Sequence, residues 1–434
     1  MSTLFKNITL VTMNEKNEVL KDMYLGVEED KIIYISNVKP KNKFKREING
    51  KGNVIMPGLI NCHTHIPMTL LRGYADDVPL QTWLNKYILK AESKFTDEMI
   101  EVGSKLAIAE MLSTGTTSFT DMYFKFPVIA DVINDIGIRA NICNPVVCLE
   151  NEYKLEQDNS YLEFVKVYEK YKNHNLINID TGIHGEYTSI PSAWKKWVEI
   201  AKKHKLNIHL HLSETLKEHN DCKEKYGKTP TQIFYENGVF KLSANLAHCV
   251  FVEDKDLEII KKSNANVVYN PISNLKLGSG IANVNKMKNM GINVCIGTDG
   301  VASNNSLDLF EEIKIAGLLQ KGVNMDASII NSKEVLEMAT LNGAKSQNRD
   351  NIGKISIGMK ADLIMIDFNN INHTPTYDVQ SALVYNTNGK DVIMTMVNGK
   401  ILYENGEFTT INITEVINKM NIIKYKIIED NKLD

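Results

Sequence analysis

Short, nearly continuous apolar runs recur from residue 53 onward, and most are separated by stretches with helical character. NVIMPGLIN at 53–61 is the first. TTSFTD at 116–121, IRANIC at 138–143, INIDTGIH at 177–184 and NIHLHLS at 207–213 follow, then NLAHC at 245–249, NVVYN at 266–270 and NVCIGTD at 293–299. Runs of this length without alternation suit strands buried on both faces of a parallel sheet. Between them, DEMIEVGSKLAIAEMLSTG at 97–115 reads as a helix, with Asp97 and Glu98 at the positive end of its dipole and Gly115 as its stop. PSAWKKWVEIAKKHK at 191–205 opens on Pro191 and gathers Ala193, Trp197, Ile200 and Ala201 on one face. Trp194 and Trp197 read there as packing residues. Buried strands alternating with helices predict a (β/α)8 barrel over 57–346 rather than a doubly wound sheet.

The pattern changes at both ends. Residues 1–56 hold short β-type segments, ITLVTM at 8–13, MYLGV at 23–27 and KIIYI at 31–35, with acidic and Asn-rich breaks between them. The lysine-rich KPKNKFKREINGKG at 39–52 reads as a solvated connection. From 347 to 434 β character returns in ADLIMID at 361–367 and DVIMTMVNGKILY at 391–403. Segments 1–56 and 347–434 are therefore expected to pack together beside the barrel.

Composition adds exclusions. With 434 residues, 43% hydrophobic and 24% charged, the chain can bury a substantial core and is not expected to be disordered. Fifty Lys and Arg against 53 Asp and Glu leave a net charge of -3, so nothing advertises a nucleic-acid surface. No apolar run approaches a membrane span, and MSTLFKNITL lacks the basic leader and apolar core of a secretory signal. A cytoplasmic protein with neither membrane nor nucleic-acid partners is the expectation. The six cysteines form no C-x-x-C pair, and Cys62, Cys143, Cys249 and Cys295 read as buried thiols.

Chemistry-bearing side chains gather at the carboxyl ends of the predicted strands. His63 and His65 are two apart, so both imidazoles can face one centre, and their nitrogens suit zinc, iron and related divalent ions. His184, His209, His211 and His248 also stand at strand ends, and Gly297-Thr298-Asp299-Gly300 closes the eighth run. A barrel brings such ends to one mouth, whatever their separation in sequence. His209 and His211 share a side but need not both be ligands. Glu214 can carry a movable proton or merely cap the next segment. Asp299 can ligate a metal through oxygen or hydrogen-bond an attacking water. His248 can orient that water, polarise a leaving group, or simply bond to backbone in the core.

In their order along the chain, PGLINCHTH, HLSET, AHCV and GTDG resemble the amidohydrolase superfamily. The resemblance is strongest to its methylthioadenosine/S-adenosylhomocysteine deaminases and related chlorohydrolases, and it runs through IGKISIGMKADLIMID at 352–367. It implies a metal-bearing (β/α)8 barrel beside a small β-sandwich built from both terminal segments, and a homo-oligomer. It implies His63, His65, His211 and Asp299 as ligands of one divalent metal per subunit, with Glu214, His248 and Asp299 as the catalytic set. Glu214 would shuttle protons and His248 would act on the water, while His209 falls outside the ligands and buttresses its strand. Zinc is favoured because the reaction needs a Lewis acid and no redox change; Fe2+, Mn2+, Co2+ and Ni2+ stay open. INIDTGIH carries no bridging lysine, which argues for one metal, and the H-x-E with P-C-x-x-C pattern of other zinc deaminases is absent.

On the substrate side, Trp83 and Glu92 resemble positions that contact a nucleoside, where a carboxylate can accept both ribose hydroxyls and Trp offers apolar area. His184 resembles the family histidine beside the sugar. Two departures stand out. Asn144-Pro145 occupies a place where such deaminases commonly carry Arg-Gly, and Glu186 replaces a small residue or proline. An unpaired buried carboxylate opposes an anionic tail. The expected reaction is hydrolytic deamination of an adenine nucleoside, with 5'-deoxyadenosine, methylthioadenosine or adenosine preferred over S-adenosylhomocysteine. Deamination of guanine, cytosine or another heterocycle, or chlorohydrolysis, is the alternative; a non-catalytic metal-binding barrel is the remote one.

Overall fold

The computed structural model describes residues 2–431. Its barrel strands are β1 (Leu59–Thr64), β2 (Thr116–Met122), β3 (Arg139–Cys143) and β4 (Ile177–Ile179 with Thr181–Ile183). They continue as β5 (Ile208–Leu212), β6 (Ala244–His248), β7 (Asn266–Tyr269) and β8 (Asn293–Ile296). Each pairs in parallel with the next, with β4 interrupted at Asp180. The ring closes just beyond β8, where the Asp299 amide donates to the His63 carbonyl at 2.9 Å. This is the (β/α)8 architecture that the alternation of apolar runs and helices predicts.

The first apolar run divides. Val54–Pro57 pairs antiparallel with Leu363–Ile366 in the terminal sheet, and β1 begins only at Leu59. Gly58 marks the switch, because a Cβ there would stand 2.1 Å from the Thr117 side chain. Continuous hydrophobicity reports burial on both halves of the run; it does not report that two different sheets do the burying.

Nine strands from both ends of the chain form that terminal sheet. Val54–Pro57 is its joint, flanked by Ser2–Val11 in parallel and Leu363–Ile366 in antiparallel pairing. Phe5, Ile8, Leu25, Ile32, Ile55, Leu363, Met394 and Met396 fill an apolar core separate from the barrel's. The β reading of 347–434 needs correction at its end. Ile413–Asn431 is a helix packed against the barrel helix Asp97–Ser113. Its buried residues Val416, Ile423 and Ile427, with Met420 between them, recur at helical rather than strand spacing.

The helix Asp97–Ser113 is capped by the Thr96 side chain, which accepts from the Met99 amide at 3.3 Å. In Pro191–His204 both tryptophans are buried, and their indole N–H groups donate to Ser189 Oγ at 2.6 Å and Tyr153 Oη at 2.8 Å. Arg139 opens β3 at the barrel base and is paired there, Nε to Asp362 Oδ2 at 2.6 Å and Nη2 to Oδ1 at 3.0 Å, far from the opposite, carboxyl end. Among the described residues, no helix is long and apolar enough to cross a membrane.

Candidate active site

The polar residues at the strand ends are held in place by local backbone geometry. Asp121 at the end of β2 accepts from the Ile66 amide at 2.7 Å and the Thr64 hydroxyl at 3.0 Å, fixing how the chain leaves β1 around His65. Ser213, His248 and Asp299 have φ of 48°, 76° and 65°. Left-handed backbone at non-glycine residues costs free energy, and here it turns three strand exits inward.

The imidazole tautomers follow from their partners. His65 Nδ1 lies 2.6 Å from the Met122 carbonyl and His211 Nδ1 lies 2.6 Å from the His184 carbonyl, so both Nδ1 atoms donate and both Nε2 atoms keep lone pairs. Those two Nε2 atoms are 3.4 Å apart. Two lone pairs at that distance repel unless a positive charge lies between them. Asp299 Oδ1 stands 3.2 Å from His65 Nε2 and 3.4 Å from His63 Nε2, and the latter is buried without a hydrogen-bond partner. The His63, His65 and Asp299 donor atoms all lie within 4.8 Å of one another, as do those of His63, His211 and His248. Three imidazole nitrogens and a carboxylate with oriented outer partners fit a divalent metal.

The electrostatics agree. Burial raises the Asp299 carboxyl, but the adjoining His63 and His65 imidazoles outweigh it and hold the group well below the usual carboxylate range. Burial lowers His65, yet Asp299 overcomes it and carries the imidazole up to about 9, so that a proton takes the Nε2 lone pair wherever no other cation does. Burial takes His63 down to about 4. The cluster draws in a positive charge. Asp299 Oδ2 is steadied by Ser273 Oγ at 2.6 Å and Ser303 Oγ at 3.0 Å. His209 sits behind this set, its Nε2 2.8 Å from His63 Nδ1.

Glu214 and His248 meet beside the cluster, Oε2 to Nε2 at 3.8 Å. The bland readings of both fail. Thr215, not Glu214, caps the following helix, and His248 Nδ1 meets the Asn274 side chain at 2.8 Å instead of backbone. Glu214 Oε1 accepts from Ser279 Oγ at 3.1 Å, and burial raises its carboxyl.

The residues expected near a sugar are spread more widely. Glu92 is buried, its Oε1 accepting from Tyr123 Oη at 2.5 Å. Burial lifts it to about 7 against the opposing pull of Tyr123 and His65. Trp83 is buried at the start of a π-helical turn, Trp83–Ile88, in the segment that also carries Glu92. The His184 ring centroid is 4.8 Å from that of His211, and its Nδ1 lies 2.9 Å from Thr188 Oγ1. Glu186 is buried, and burial pushes its carboxyl up to about 7 against the opposing pull of Lys225 and Cys222. Asn144 donates to Glu163 Oε2 at 2.7 Å. Sequence reasoning missed Tyr123, Ser273, Asn274 and Ser279, which are single polar residues without diagnostic spacing. It also missed Glu218, although Thr215-x-x-Glu218 has the form of a helix-start signal.

The family model described as "Amidohydrolase family" matches residues 54–402. The chain belongs to the amidohydrolase family. Among its relatives, a 5-methylthioadenosine/S-adenosylhomocysteine deaminase of Thermoanaerobacter pseudethanolicus is 41% identical over 96% of this chain and 97% of that one. A 5'-deoxyadenosine deaminase of Methanosarcina acetivorans is 41% identical over 93% of each. The crystal structure of an adenosine deaminase from Xanthomonas campestris with bound zinc superposes with a TM-score of 0.93, at 29% identity over 98% of both chains. This family member is thus a metal-dependent hydrolase by fold and by donor set.

Proposed function

We propose that this amidohydrolase removes ammonia hydrolytically from adenine nucleosides and uses zinc. The observation that carries the reading is the Glu214–His248 pair, 3.8 Å apart, beside three imidazoles and a carboxylate that demand a cation. The deaminase names of relatives at 41% identity support the reaction, and the zinc-bound adenosine deaminase supports the metal.

His63, His65, His211 and Asp299 would hold the ion. When bound, zinc supplies Lewis acidity that makes water nucleophilic near neutral pH. Glu214 takes one proton of the attacking water at its carboxylate and delivers it to the ring nitrogen; once the oxygen has added to the ring carbon, its remaining proton passes by way of Glu214 to the leaving amine as the carbonyl forms. Its buried position keeps the protonated form accessible, which this delivery needs. His248, with Nδ1–H held on Asn274, presents Nε2 to the attacking oxygen. The oxygen adds to the ring carbon that bears the amine, and ammonia departs. Glu92, with one oxygen fixed by Tyr123, accepts the ribose hydroxyls and favours a nucleoside over a free base.

The 5' substituent separates the substrates. Asn144 offers no positive charge and is spent on Glu163, while Glu186 is a buried carboxyl that brings no cation either. The carboxylate of S-adenosylhomocysteine thus lacks the cation it needs. A hydrogen bond to a charged group contributes about 1.5–3 kcal/mol, so neutral-tailed nucleosides should lead by roughly ten- to a hundredfold. The test is kcat/KM on 5'-deoxyadenosine, methylthioadenosine, adenosine, S-adenosylhomocysteine, adenine and guanine at one pH and zinc loading. Turnover of the bases alone would reject the nucleoside reading; a lead for S-adenosylhomocysteine would reject the tail argument.

A further inference from the structure

Glu218 is buried in the first turn of the helix Leu216–Tyr226, and none of the roles above uses it. Its two carboxylate oxygens are divided between consecutive backbone amides. The Ser213 N–H donates to Oε1 and the Glu214 N–H to Oε2, each at 2.8 Å. The helix does not need this carboxylate as its cap, because Thr215 Oγ1 already accepts from the Glu218 amide at 3.1 Å. The clamped peptide is a strained one, with Ser213 at φ 48°. Its carbonyl in turn accepts from the Val250 and Phe251 amides at 3.1 and 2.9 Å, tying down the loop that leaves His248.

We propose that Glu218 is a positioning residue that holds the Glu214 carboxylate against His248 by clamping the Ser213–Glu214 backbone. The inference rests on reading Glu214 as the proton carrier. Two parallel N–H groups need two acceptors, and only a carboxylate presents both. An amide in its place turns one acceptor into a donor that faces a buried N–H, so the turn must shift. A displacement of about 1 Å at a reacting group costs about a hundredfold in rate. The loss should fall on kcat, because Glu218 touches neither the sugar side nor the metal donors.

The test uses zinc-loaded wild type, E218Q, E214Q and the double variant, with methylthioadenosine as substrate and metal content measured throughout. E218Q should lower kcat by roughly 30- to 100-fold, with KM within about threefold and metal content unchanged. The double variant should be no slower than E214Q, since a residue that acts only through Glu214 has nothing further to lose. Wild-type kcat in E218Q beside an inactive E214Q overturns the clamp alone. Losses that multiply in the double variant also overturn it, because Glu218 then acts apart from Glu214. Wild-type turnover by E214Q removes the proton carrier itself, and the clamp with it. T215A, which weakens the same helix start, should lower Tm while leaving kcat within about twofold; an equal kcat loss would assign the effect to helix stability and reject positioning. Should E218Q fail to fold, E218D keeps both acceptors one methylene short and must lose kcat at constant KM. Wild-type kcat in E218D is the overturning result.

Discussion

Both ends of the barrel bury polar side chains, and they treat them in opposite ways. At the base, Asn245, Asn266 and Asn293 stand in register on β6, β7 and β8. Asn293 donates to Asn266 and Asn266 to Asn245, each at 2.9 Å, and Asn245 donates to the Ser346 carbonyl at 2.9 Å. Beside this ladder Arg349 donates to the Ala140 and Leu176 carbonyls, and Arg139 grips Asp362 with two nitrogens. At the mouth, His63 Nε2, Ser213 Oγ, Asn270 Oδ1 and Asn274 Nδ2 are buried without partners, and three strand exits are left-handed. Buried polar groups are ordinarily paired, and exceptions with strained backbone cluster where a ligand is handled. The Asn ladder and the two arginines at the base spend their polar groups on closing the barrel. The mouth keeps them for something that is not protein.

The largest effect should come from breaking the mouth. His211→Ala removes a donor whose Nδ1 is already fixed and whose Nε2 faces His65 at 3.4 Å. Outer-shell changes typically cost about 10–100-fold in metal affinity or activity; this substitution should exceed that range in kcat/KM and lower the bound metal, with the far-UV circular dichroism unchanged. Retained zinc and retained rate would remove His211 from the donor set.

Arg139→Ala breaks the base instead. Leaving Asp362 buried and unpaired should destabilise the fold by about 3–5 kcal/mol. Chemical denaturation would read that loss, while kcat and metal content of the folded fraction stay at wild-type values. A folded variant with impaired kcat would dissolve the division of labour between the two ends. The double change Arg139→Met, Asp362→Leu should recover much of the stability, since the pair's cost lies in losing one partner.

These two ends were not equally legible in the sequence. The barrel was readable because strands buried on both faces write themselves as apolar runs, and the runs recur with helices between them. His63, His65, His211, His248 and Asp299 were readable because strand ends converge in such a fold, and the structure brings all five to one cluster. The Asn that opens NLAHC, NVVYN and NVCIGTD was visible, but its ladder depends on register, which no single strand encodes. The split at Gly58 was hidden because both halves of the run are buried. Glu186 shows the limit on the substrate side. Its position in HGEYT was plain, but its burial depends on how the surrounding elements pack. Glu218 was hidden differently: its partners are main-chain amides, which carry no residue-specific signal.

The smallest expected effect sharpens the comparison by asking whether burial at the mouth serves binding. Glu92 is lifted to about 7, first by burial, with the Tyr123 hydroxyl and His65 pulling it down. The ionised carboxylate is the form that accepts two ribose hydroxyls, so affinity should improve as pH rises through 7. With that midpoint the ionised fraction grows from about 0.1 at pH 6 to about 0.9 at pH 8, and Kd should fall up to about tenfold. Stability runs the other way. The folded state holds a proton on Glu92 that the unfolded chain releases near 4.5, so this group's contribution to stability falls as pH rises from about 4.5 to about 7. Tyr123→Phe removes a donor to the ionised form and should move the binding transition to higher pH, while Glu92→Gln should flatten it. Calorimetric titration with the inosine-type product reads Kd without interference from proton transfer at Glu214. A wild-type Kd that does not change between pH 6 and 8 would show that the Glu92–Tyr123 pair, like the ladder at the base, serves only to close the fold.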